Sequence, residues 1–549
     1  MLTDSRIAQP FDADVAIVGA GPVGTMLAIL LANQGKEVTL VERWTNHYGL
    51  PRAVTYDHEI ARILATLGID SESDRAINFH DELYYWRNRD GKNLQIVDWK
   101  SQSASGWRVR YWFNQPLLEK RLLKMAAKKP SITILRGWEG IALDQDREGV
   151  TLSLKQNPEE YGPDGEHKIV RAKFVAGTDG ANSFVRESLG IENDDKGYFF
   201  DWLILDMIPD FDYCASRPDD PAQWQLCDPR RPTTVVPGGP GPSEGDPDRR
   251  RWEFMVLPDE DATELQKPEH AWKLLEPWGL TPENSELERA AVYRFQARWA
   301  MQWHKGRCLI GGDAAHLMPP FAGEGMCAGL RDAVAMAWRL NAILEGKCGL
   351  DLLETYTSER KEHAKHYINF SQELGNIICI SDEAEAAERD ARMIADLKAR
   401  NNVPVPTDVC HLGSGAWCAD SAHAGELSVQ GVVHYKGRTG RFDQAVGYGW
   451  VLIGYETDPL VALTEQQRLQ LSELEGFGVT VGAPVSDAEV ADCNGVYARW
   501  MADINAKYVL VRPDFYVAVT ANTPRDLQSR FDKVIAELDL KSASAVAAA

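Results

Sequence analysis

A glycine-rich turn near the start of the chain follows an apolar run and opens an apolar segment. Residues 15–18 read as a strand, Gly19, Gly21 and Gly24 form the turn, and residues 25–32 read as a helix. Glycines let the main chain approach phosphates, and a helix N-terminus offers free N–H groups and the positive end of its dipole. The order of strand, turn and helix predicts a dinucleotide pyrophosphate site in an α/β domain.

A second strand, residues 38–41, ends in Glu42, which Arg43 follows. At this spacing from the first glycine, a carboxylate can accept hydrogen bonds from a ribose diol. Up to this point the pattern fits NAD as well as it fits FAD.

A second glycine motif, past the middle of the chain, favours FAD. Residues 308–310 read as a short buried strand that delivers Gly312 and Asp313 to a loop, where the acid can hold a ribityl hydroxyl. Residues 319–325 then lead into a helix over 326–344, whose N-terminus would face the flavin pyrimidine, where negative charge gathers on reduction. The residues predicted beside the ring are Pro320, Gly323, Gly325 and Met326.

These motifs resemble those of the class A flavoprotein aromatic hydroxylases, which share the para-hydroxybenzoate hydroxylase fold. Further residues that carry the resemblance are 51–53, 115–116 and the Asp-Gly motif at 179–186. Within this family, the chain is most similar to the 3-(3-hydroxyphenyl)propionate hydroxylases. The residues particular to that group are 227–232, 251–256, 331–333 and 359–365. The similarity runs from about residue 12 to about residue 535.

The resemblance implies roles for particular residues. FAD would be held by Glu42, Arg52, Gln115 and Asp313, and Asp179 would lie near the pyrophosphate with a part in NAD(P)H use. The chain departs from the family at Glu324, where glutamine is common. A carboxylate there could lower the reduction potential of the flavin, or it could point to solvent.

The predicted fold is α/β: a Rossmann-like FAD-binding domain interleaved with an antiparallel substrate-binding sheet, plus a C-terminal unit. The FAD-binding domain is assigned to residues 12–72, 105–195 and 285–375, and the sheet domain to 73–104 and 196–284. Residues 376–425 lack clear periodicity and are predicted to be a connector. Residues 426–540 are compatible with the thioredoxin-like domain of larger family members, without a redox CxxC pair. A structural or dimerising role is expected for this domain.

The resemblance implies a monooxygenase that uses FAD, NADH or NADPH, and O2. A C4a-hydroperoxyflavin would hydroxylate a meta-substituted phenol, such as 3-(3-hydroxyphenyl)propionate, ortho to its hydroxyl, giving a catechol. A base should reach the phenol hydroxyl, and the candidates by region are His58, Gln225 and Tyr293. A carboxylate on the substrate would need local donors, and the candidate arginines are Arg230, Arg231, Arg294 and Arg298.

Two other functions stay open. The same fold could act on a bulkier, polyketide-like aromatic, because no motif encodes the size of the pocket. A non-catalytic FAD-binding module is the alternative from a different class.

Composition excludes several classes of partner. The net charge of −22 over 549 residues disfavours nucleic acid, which binds clustered Lys and Arg. No apolar run is long enough for a membrane span, and residues 1–12 have no signal-peptide pattern. Nine cysteines without a CxxC pair indicate a reducing, cytoplasmic location. No metal site is expected, and residues 542–549 are predicted to be a disordered tail.

Overall fold

The computed structural model describes residues 10–197, 200–241 and 243–541. The prediction for the tail at 542–549 lies outside the described residues, as does most of the segment to which the signal-peptide prediction applies. Among the described residues, no helix is both long enough and apolar enough to cross a membrane.

An eight-stranded sheet forms the layer predicted from the first glycine turn. Six strands lie side by side in the order His304–Lys305, Cys308–Ile310, His167–Gly177, Ala13–Val18, Val38–Glu42 and Ile132–Arg136. Val150–Gln156 and Trp138–Gln145 extend this sheet by antiparallel pairing. The central strands are parallel and buried along most of their length, which is why they read as continuous apolar runs.

Helices flank this sheet, and those that begin at Pro22 and Gly325 have their N-termini beside the two glycine motifs. The flanking helices are Pro22–Asn33, His58–Thr66, Gln115–Ala127, Phe184–Ser188, Gly325–Leu344 and Leu352–Ile378. Asn114 caps Gln115–Ala127 by accepting a hydrogen bond from the main-chain N–H of Leu117 at 3.2 Å. Gly325–Leu344 packs along Pro22–Asn33. The two glycine motifs are thereby brought together although they are far apart in sequence.

Short elements connect this layer to the next. One three-stranded sheet contains Thr55–Asp57, Arg110–Phe113 and Ile77–Asn78, and another contains Asn193–Asp195, Arg298–Ala300 and His316–Leu317. The remaining short helices of the first 350 residues are Pro158–Tyr161, Tyr213–Ser216, Ala262–Leu265, Pro268–Leu275, Glu276–Trp278, Gly312–Ala314 and Pro320–Ala322.

A seven-stranded, mostly antiparallel sheet, called here the roof sheet, covers the edge where the helices Pro22–Asn33 and Gly325–Leu344 begin. Its strands lie in the order Ser285–Phe295, Phe200–Pro209, Arg250–Met255, Thr233–Pro237, Trp224–Leu226, Tyr84–Arg87 and Asn93–Val97. The sequence pattern predicts that residues 285–295 belong to the FAD-binding domain. Ser285–Phe295 instead pairs with Phe200–Pro209 along its whole length, so it belongs to the roof sheet.

The two faces of the roof sheet have different environments because side chains alternate along a strand. Trp252 and Phe254 pack in an apolar core with Leu203 and the helix Pro268–Leu275. Arg251 and Glu253 point to the opposite face. This face lies against the edge of the layer formed by the eight-stranded sheet and its helices, called here the FAD-side layer.

The C-terminal part of the chain has a sheet of its own. Its strands lie in the order Arg438–Arg441, Val432–Tyr435, Val490–Asp492, Phe477–Gly482, Val451–Tyr455, Tyr508–Val511 and Val517–Ala521. Its helices are Phe442–Ala445, Glu465–Glu473, Val496–Asp503 and Pro524–Glu537. The predicted connector, residues 376–425, is not irregular throughout, because it contains the helix Glu383–Ala399.

Candidate active site

A cleft runs between the FAD-side layer and the roof sheet, and it widens into two adjoining cavities. The outer cavity, of about 440 Å³, surrounds the first glycine turn and the strand end at Glu42. The inner cavity, of about 350 Å³, lies between the second glycine motif and the roof sheet. The two cavities share Gly21, Arg52 and Gln115 in their walls, so together they can hold one elongated ligand.

The first glycine turn is built so that main chain alone forms the floor of the outer cavity. Gly19 has φ +103°, and a side chain there would clash with the carbonyl group of Thr178. A side chain at Gly24 would clash with the carbonyl oxygen of Gly19. At Gly21, in contrast, a Cβ would meet no protein atom within 4 Å, because this residue faces the open cavity. This cradle matches the close approach of a pyrophosphate.

Glu42 lies at the end of its strand, beside the glycine turn. Its Oε2 accepts a hydrogen bond from the N–H of Ala20 at 2.9 Å, and its Oε1 accepts one from the N–H of Trp44 at 3.0 Å. These two bonds fix the carboxylate at the cavity wall, where a ribose diol can still donate to its remaining lone pairs. Arg43 lines the same wall and forms an exposed ion pair with Glu159.

Gln115 holds the main chain where the outer and inner cavities meet. Its Oε1 accepts hydrogen bonds from the N–H groups of Arg52 and Ala53, at 3.0 and 2.6 Å. The guanidinium group of Arg52 stacks on the ring of Tyr48 at 4.5 Å. Gln115 therefore positions a segment that lines both cavities.

The Asp-Gly motif closes the outer cavity on its far side. Asp179 accepts hydrogen bonds from the Ser183 hydroxyl and from the N–H of Val185, and burial raises the pKa of its carboxyl. Arg186 donates one hydrogen bond to the carbonyl of Ala181 and one to that of Ala314, each at 3.0 Å. Arg186 thus ties the Asp-Gly motif to the second glycine motif.

The second glycine motif is held from behind by Asp332. The Asp332 carboxylate accepts from the N–H of Gly312 at 3.0 Å, contacts Nε2 of His316 at 2.8 Å, and accepts from Nε of Arg360 at 2.9 Å. Asp313 is left facing the inner cavity, and enclosure by the protein raises the pKa of its carboxyl. The predicted FAD residues therefore all line one of the two cavities, apart from Gly24, which packs beneath the turn.

Aromatic side chains form the dry end of the inner cavity. Tyr84 and Trp99 stack with ring centroids 4.0 Å apart, and Trp99 lies 5.9 Å from Trp112. Phe321 contacts Trp202 edge to face at 5.5 Å. Such walls exclude water from a ring bound between them.

Three polar side chains of the roof sheet face this aromatic end. The Thr234 hydroxyl donates to Oε1 of Gln225 at 2.6 Å, which fixes the amide at the cavity wall. Glu253 is 9% exposed, and its Oε1 lies 3.7 Å from Nη1 of Arg251. No donor among the described residues lies within hydrogen-bond reach of the Glu253 carboxylate. Burial raises the pKa of Glu253, and Arg251 offsets only part of this effect.

The residues proposed from the sequence to contact the phenol are separated by the fold. Gln225 lines the inner cavity, whereas His58 and Tyr293 are not among the described lining residues of either cavity. His58 contacts the Ser105 hydroxyl at 3.0 Å, and burial lowers its pKa. Tyr293 packs under the guanidinium group of Arg289 at 4.7 Å.

Sequence reasoning missed Glu253. The available signal was an acid inside the otherwise apolar part of the strand Arg250–Met255, at a position that alternates with Trp252 and Phe254.

Glu324 points neither to solvent nor into the inner cavity. It is 3% exposed, and it forms ion pairs with Arg110 at 3.0 Å and with Arg331 at 3.1 Å. Burial and the neighbouring Asp57 raise the pKa of Glu324 to about 7. The sequence left two possibilities for Glu324, a carboxylate that acts on the flavin or one that points to solvent. Its burial rules out the second possibility.

The two-part cleft, the glycine cradles and the aromatic pocket under a roof sheet are the features of an FAD-dependent hydroxylase. Residues 12–371 match the family model for the FAD binding domain, and residues 425–537 match that for the HcaD C-terminal domain. The chain therefore belongs to the FAD binding domain family, and its cofactor is FAD.

Two relatives match over nearly their whole length. The probable NADH-specific resorcinol 4-hydroxylase of Rhodococcus jostii (strain RHA1) is 36% identical over 544 residues, covering 97% of each chain. The 3-(3-hydroxy-phenyl)propionate/3-hydroxycinnamic acid hydroxylase of Escherichia coli (strain 55989 / EAEC) is 30% identical over 566 residues, covering 98% of this chain and 97% of the relative. The resemblance to the class A aromatic hydroxylases is thus confirmed, and the chain is an FAD-dependent aromatic hydroxylase.

Solved structures show the same fold. The flavin-dependent monooxygenase PieE, in complex with FAD and substrate, has a TM-score of 0.76 at 19% identity, covering 96% of this chain and 100% of that one. Aklavinone-11 hydroxylase, in a ternary complex with FAD and aklavinone, has a TM-score of 0.73 at 24% identity, covering 96% and 100%.

Proposed function

We propose that this enzyme uses NADH and O2 to hydroxylate a meta-substituted phenol ortho to its hydroxyl, giving a catechol. The observation that carries the proposal is the Glu253 carboxylate, which faces the inner cavity without a hydrogen-bond donor. A buried acceptor of this kind is satisfied when a phenol hydroxyl donates to it. The names of the two relatives specify resorcinol and 3-(3-hydroxy-phenyl)propionate as substrates. These names support a meta-substituted phenol as the substrate class.

Each part of the inner cavity has a task in this reaction. Glu253 accepts the phenol proton, which raises the electron density of the ring carbon ortho to the oxygen. Gln225, held by Thr234, orients the same oxygen, and the stacked rings of Tyr84 and Trp99 exclude water. Bound FAD supplies hydride acceptance from the nicotinamide and the activation of oxygen.

The inner cavity suits a single phenol ring at the position of reaction rather than a fused polyketide-like ring system. Its volume of about 350 Å³ has to contain the flavin ring system as well as the substrate. NADH is proposed as the reductant because the name of the 36% identical relative specifies it.

We also propose a thioredoxin-like fold for residues 426–540, with a structural role. The strands Val451–Tyr455 and Phe477–Gly482 are parallel, and Tyr508–Val511 and Val517–Ala521 continue the sheet antiparallel. Parallel strands followed by an antiparallel hairpin suit that fold, and the absence of a CxxC pair from the sequence argues against thiol chemistry.

The test is oxidation of NADH by the FAD-loaded protein with resorcinol, 3-methylphenol and 3-(3-hydroxyphenyl)propionate, with oxygen uptake and product mass followed together. We expect at least one phenol to accelerate NADH oxidation and to gain one oxygen atom. The matched control is 3-methylanisole, which cannot donate a proton to Glu253 and should leave the rate at its basal value. Formation of peroxide alone with every phenol would contradict the proposal.

A further inference from the structure

A third cavity, called here the side chamber, adjoins the inner cavity and has no part in the reaction described so far. Its volume is about 490 Å³. Tyr84, Trp99 and Phe321 line both spaces, so one aromatic wall separates them. The far side of the chamber is formed by Phe370 of the helix Leu352–Ile378 and by residues 405–409. A ligand group longer than a phenol ring could reach this space by passing the shared wall.

Arg110 supplies the positive charge of the side chamber. It is 7% exposed, and its Nη2 pairs with Oε1 of Glu324 at 3.0 Å. Its Nε and Nη1 are buried and have no hydrogen-bond partner among the described residues. Unsatisfied guanidinium N–H groups in a buried site are costly, and an incoming oxygen acceptor would remove that cost.

The unpartnered side of Arg110 lies at the boundary between the chamber and the inner cavity. The Cβ position at Gly323, a residue of the inner-cavity wall, would be 3.5 Å from Nη1 of Arg110. The guanidinium group also stacks on Trp99 of the shared wall at 4.8 Å. Arg110 therefore lies in the chamber wall directly beside the aromatic ring that the two spaces share.

Two other arginines line the inner cavity, and Arg52 lies where it meets the outer cavity, with its guanidinium group stacked on Tyr48. Each nitrogen of Arg251 already donates a hydrogen bond: Nε and Nη2 to Asp206, and Nη1 to the carbonyl of Arg52. The four arginines that the sequence suggested as carboxylate ligands bond elsewhere and line neither the cavities nor the chamber; they are Arg230, Arg231, Arg294 and Arg298.

The charges around Arg110 can adjust to an added anion. The groups packed around Glu324 come from several elements: Asp57, Glu59, Arg110, Cys327, Arg331 and Tyr367. Two arginines there face the three carboxyl groups of Asp57, Glu59 and Glu324. Because the pKa of Glu324 is raised to about 7, a ligand carboxylate at Arg110 can replace the negative charge that Glu324 loses on taking up a proton.

We propose that the side chamber binds the meta-substituent of the substrate and that Arg110 binds a carboxylate at its end. The substrate class is then a hydroxyaryl alkanoate, with its hydroxyl at Glu253 and its carboxylate at Arg110. This inference rests on the proposed function for the placement of the ring. Tyr84 lines the inner cavity together with Glu253 and the side chamber together with Arg110, so it lies at the passage between the two polar groups.

The experiment measures ligand binding to the FAD-loaded protein, without NADH, from the change in the flavin absorbance spectrum. The two ligands are 3-(3-hydroxyphenyl)propionate and its neutral counterpart 3-(3-hydroxyphenyl)propan-1-ol. We expect the wild-type protein to bind the acid about 10-fold or more tighter than the alcohol at pH 6.5, because charged hydrogen bonds to Arg110 are formed only with the acid. In Arg110→Gln, the preference should fall by about 10-fold to 100-fold.

A second variant tests the chamber without removing a charge from the buried cluster. Val97 lines the side chamber. Val97→Trp should weaken binding of the acid and of the alcohol, which both carry a three-carbon side chain, relative to resorcinol. Val461→Trp, at a side chain that is 77% exposed, is the size-matched control and should leave all three affinities unchanged.

The outcomes separate this inference from the proposed function. Equal wild-type affinity for the acid and the alcohol, or a preference for the acid that survives Arg110→Gln, would overturn the role of the chamber even if resorcinol is hydroxylated. Discrimination between the two ligands without hydroxylation of any phenol would sustain the chamber and defeat the proposed function.

Discussion

The carboxylate of Glu253 lies 3.7 Å from the guanidinium group of Arg251, yet the two residues are bound to different partners. Arg251 donates to both oxygens of Asp206 and to the carbonyl of Arg52. Glu253 therefore has a cation nearby that favours its charged form, while its lone pairs remain available to a ligand. This combination suits a base that must accept one proton from a phenol.

Replacing Glu253 by glutamine should remove the base and keep the shape of the cavity. We expect kcat for phenol hydroxylation to fall by about 10²-fold to 10⁴-fold, with FAD content unchanged. The measurement is product formation under saturating phenol, NADH and oxygen. Glu286→Gln, on an exposed position of the strand Ser285–Phe295 at the edge of the same sheet, is the control and should behave as wild type.

The same residue predicts how the rate depends on pH. Glu253 must be deprotonated to accept the phenol proton, and burial raises its pKa above the usual 4.5. The rate should therefore rise with pH on the acidic side, with an apparent pKa above 4.5, and this rise should be absent in Glu253→Gln. An acidic limb that persists unchanged in the variant would assign it to another group.

A pair of glycine substitutions separates folding from FAD binding. In Gly24→Ala, the new methyl group would clash with the carbonyl oxygen of Gly19, so the melting temperature should fall. In Gly21→Ala, the methyl group enters the open cavity, so the protein should fold normally but bind FAD at least about 10-fold more weakly. Thermal unfolding of the apoproteins and FAD titration distinguish the two effects. Equal loss of stability in both variants would be inconsistent with the cradle.

Removing the Asp313 carboxylate should separate the protein from its cofactor. We expect Asp313→Ala to purify largely without flavin, because its side chain faces the inner cavity where a ribityl hydroxyl would bind. The ratio of flavin absorbance to protein absorbance measures the outcome. Asp144→Ala, on an exposed strand position, is the control, and a fully yellow Asp313→Ala protein would remove this residue from the site.

Glu359 should couple the C-terminal unit to the rest of the protein. It is completely buried and pairs with Arg339 and with Arg512 at 2.7 Å each. Glu359→Ala leaves two buried arginines without their shared partner and should cost about 3–5 kcal/mol in the free energy of unfolding. Chemical denaturation measures this cost, and Glu354→Ala, on the same helix with a side chain that is 76% exposed, should change little.

The Glu359 ion pairs also predict a loss of stability in acid. Burial alone would raise the pKa of Glu359, but the two arginines lower it to about 2. Because this pKa lies below that of an unfolded glutamate, the contribution is fully present above about pH 4.5 and is lost as the pH falls toward 2. The wild-type protein should lose more stability than Glu359→Gln over that interval.

The FAD-side layer could be predicted from the sequence because short local motifs determine it. The turn at Gly19 and the loop at Asp313 each need particular residue types at particular spacings. The roof sheet was predicted as antiparallel, but its edge at Ser285–Phe295 was not, because strand pairing depends on contacts with residues far away in sequence. The helix Glu383–Ala399 was missed because only two of its buried residues, Met393 and Leu397, are large and apolar, although they share one face with Ala386 and Arg389.

The aromatic end of the cleft could be predicted only in part. Gln225 was found by region, whereas Glu253 and Arg110 were not considered as ligands. The acid within an apolar strand marks Glu253 as unusual, but the sequence does not show that Glu253 and Arg110 are left with free hydrogen-bonding groups, because that depends on their neighbours in the fold. Glu253 is left free because Arg251 binds Asp206, and Arg110 is left half-paired because Glu324 is shared with Arg331.

The strand Arg250–Met255 places Trp252 and Phe254 in one core and Glu253 at the cleft. Neighbouring residues of this strand therefore serve different parts of the molecule. Changes at the odd-numbered positions can alter which aromatic compound is accepted, while the even-numbered positions keep the sheet attached to its helices. Point mutations on the cleft side of the strand can therefore change the substrate range of the enzyme while its fold stays the same.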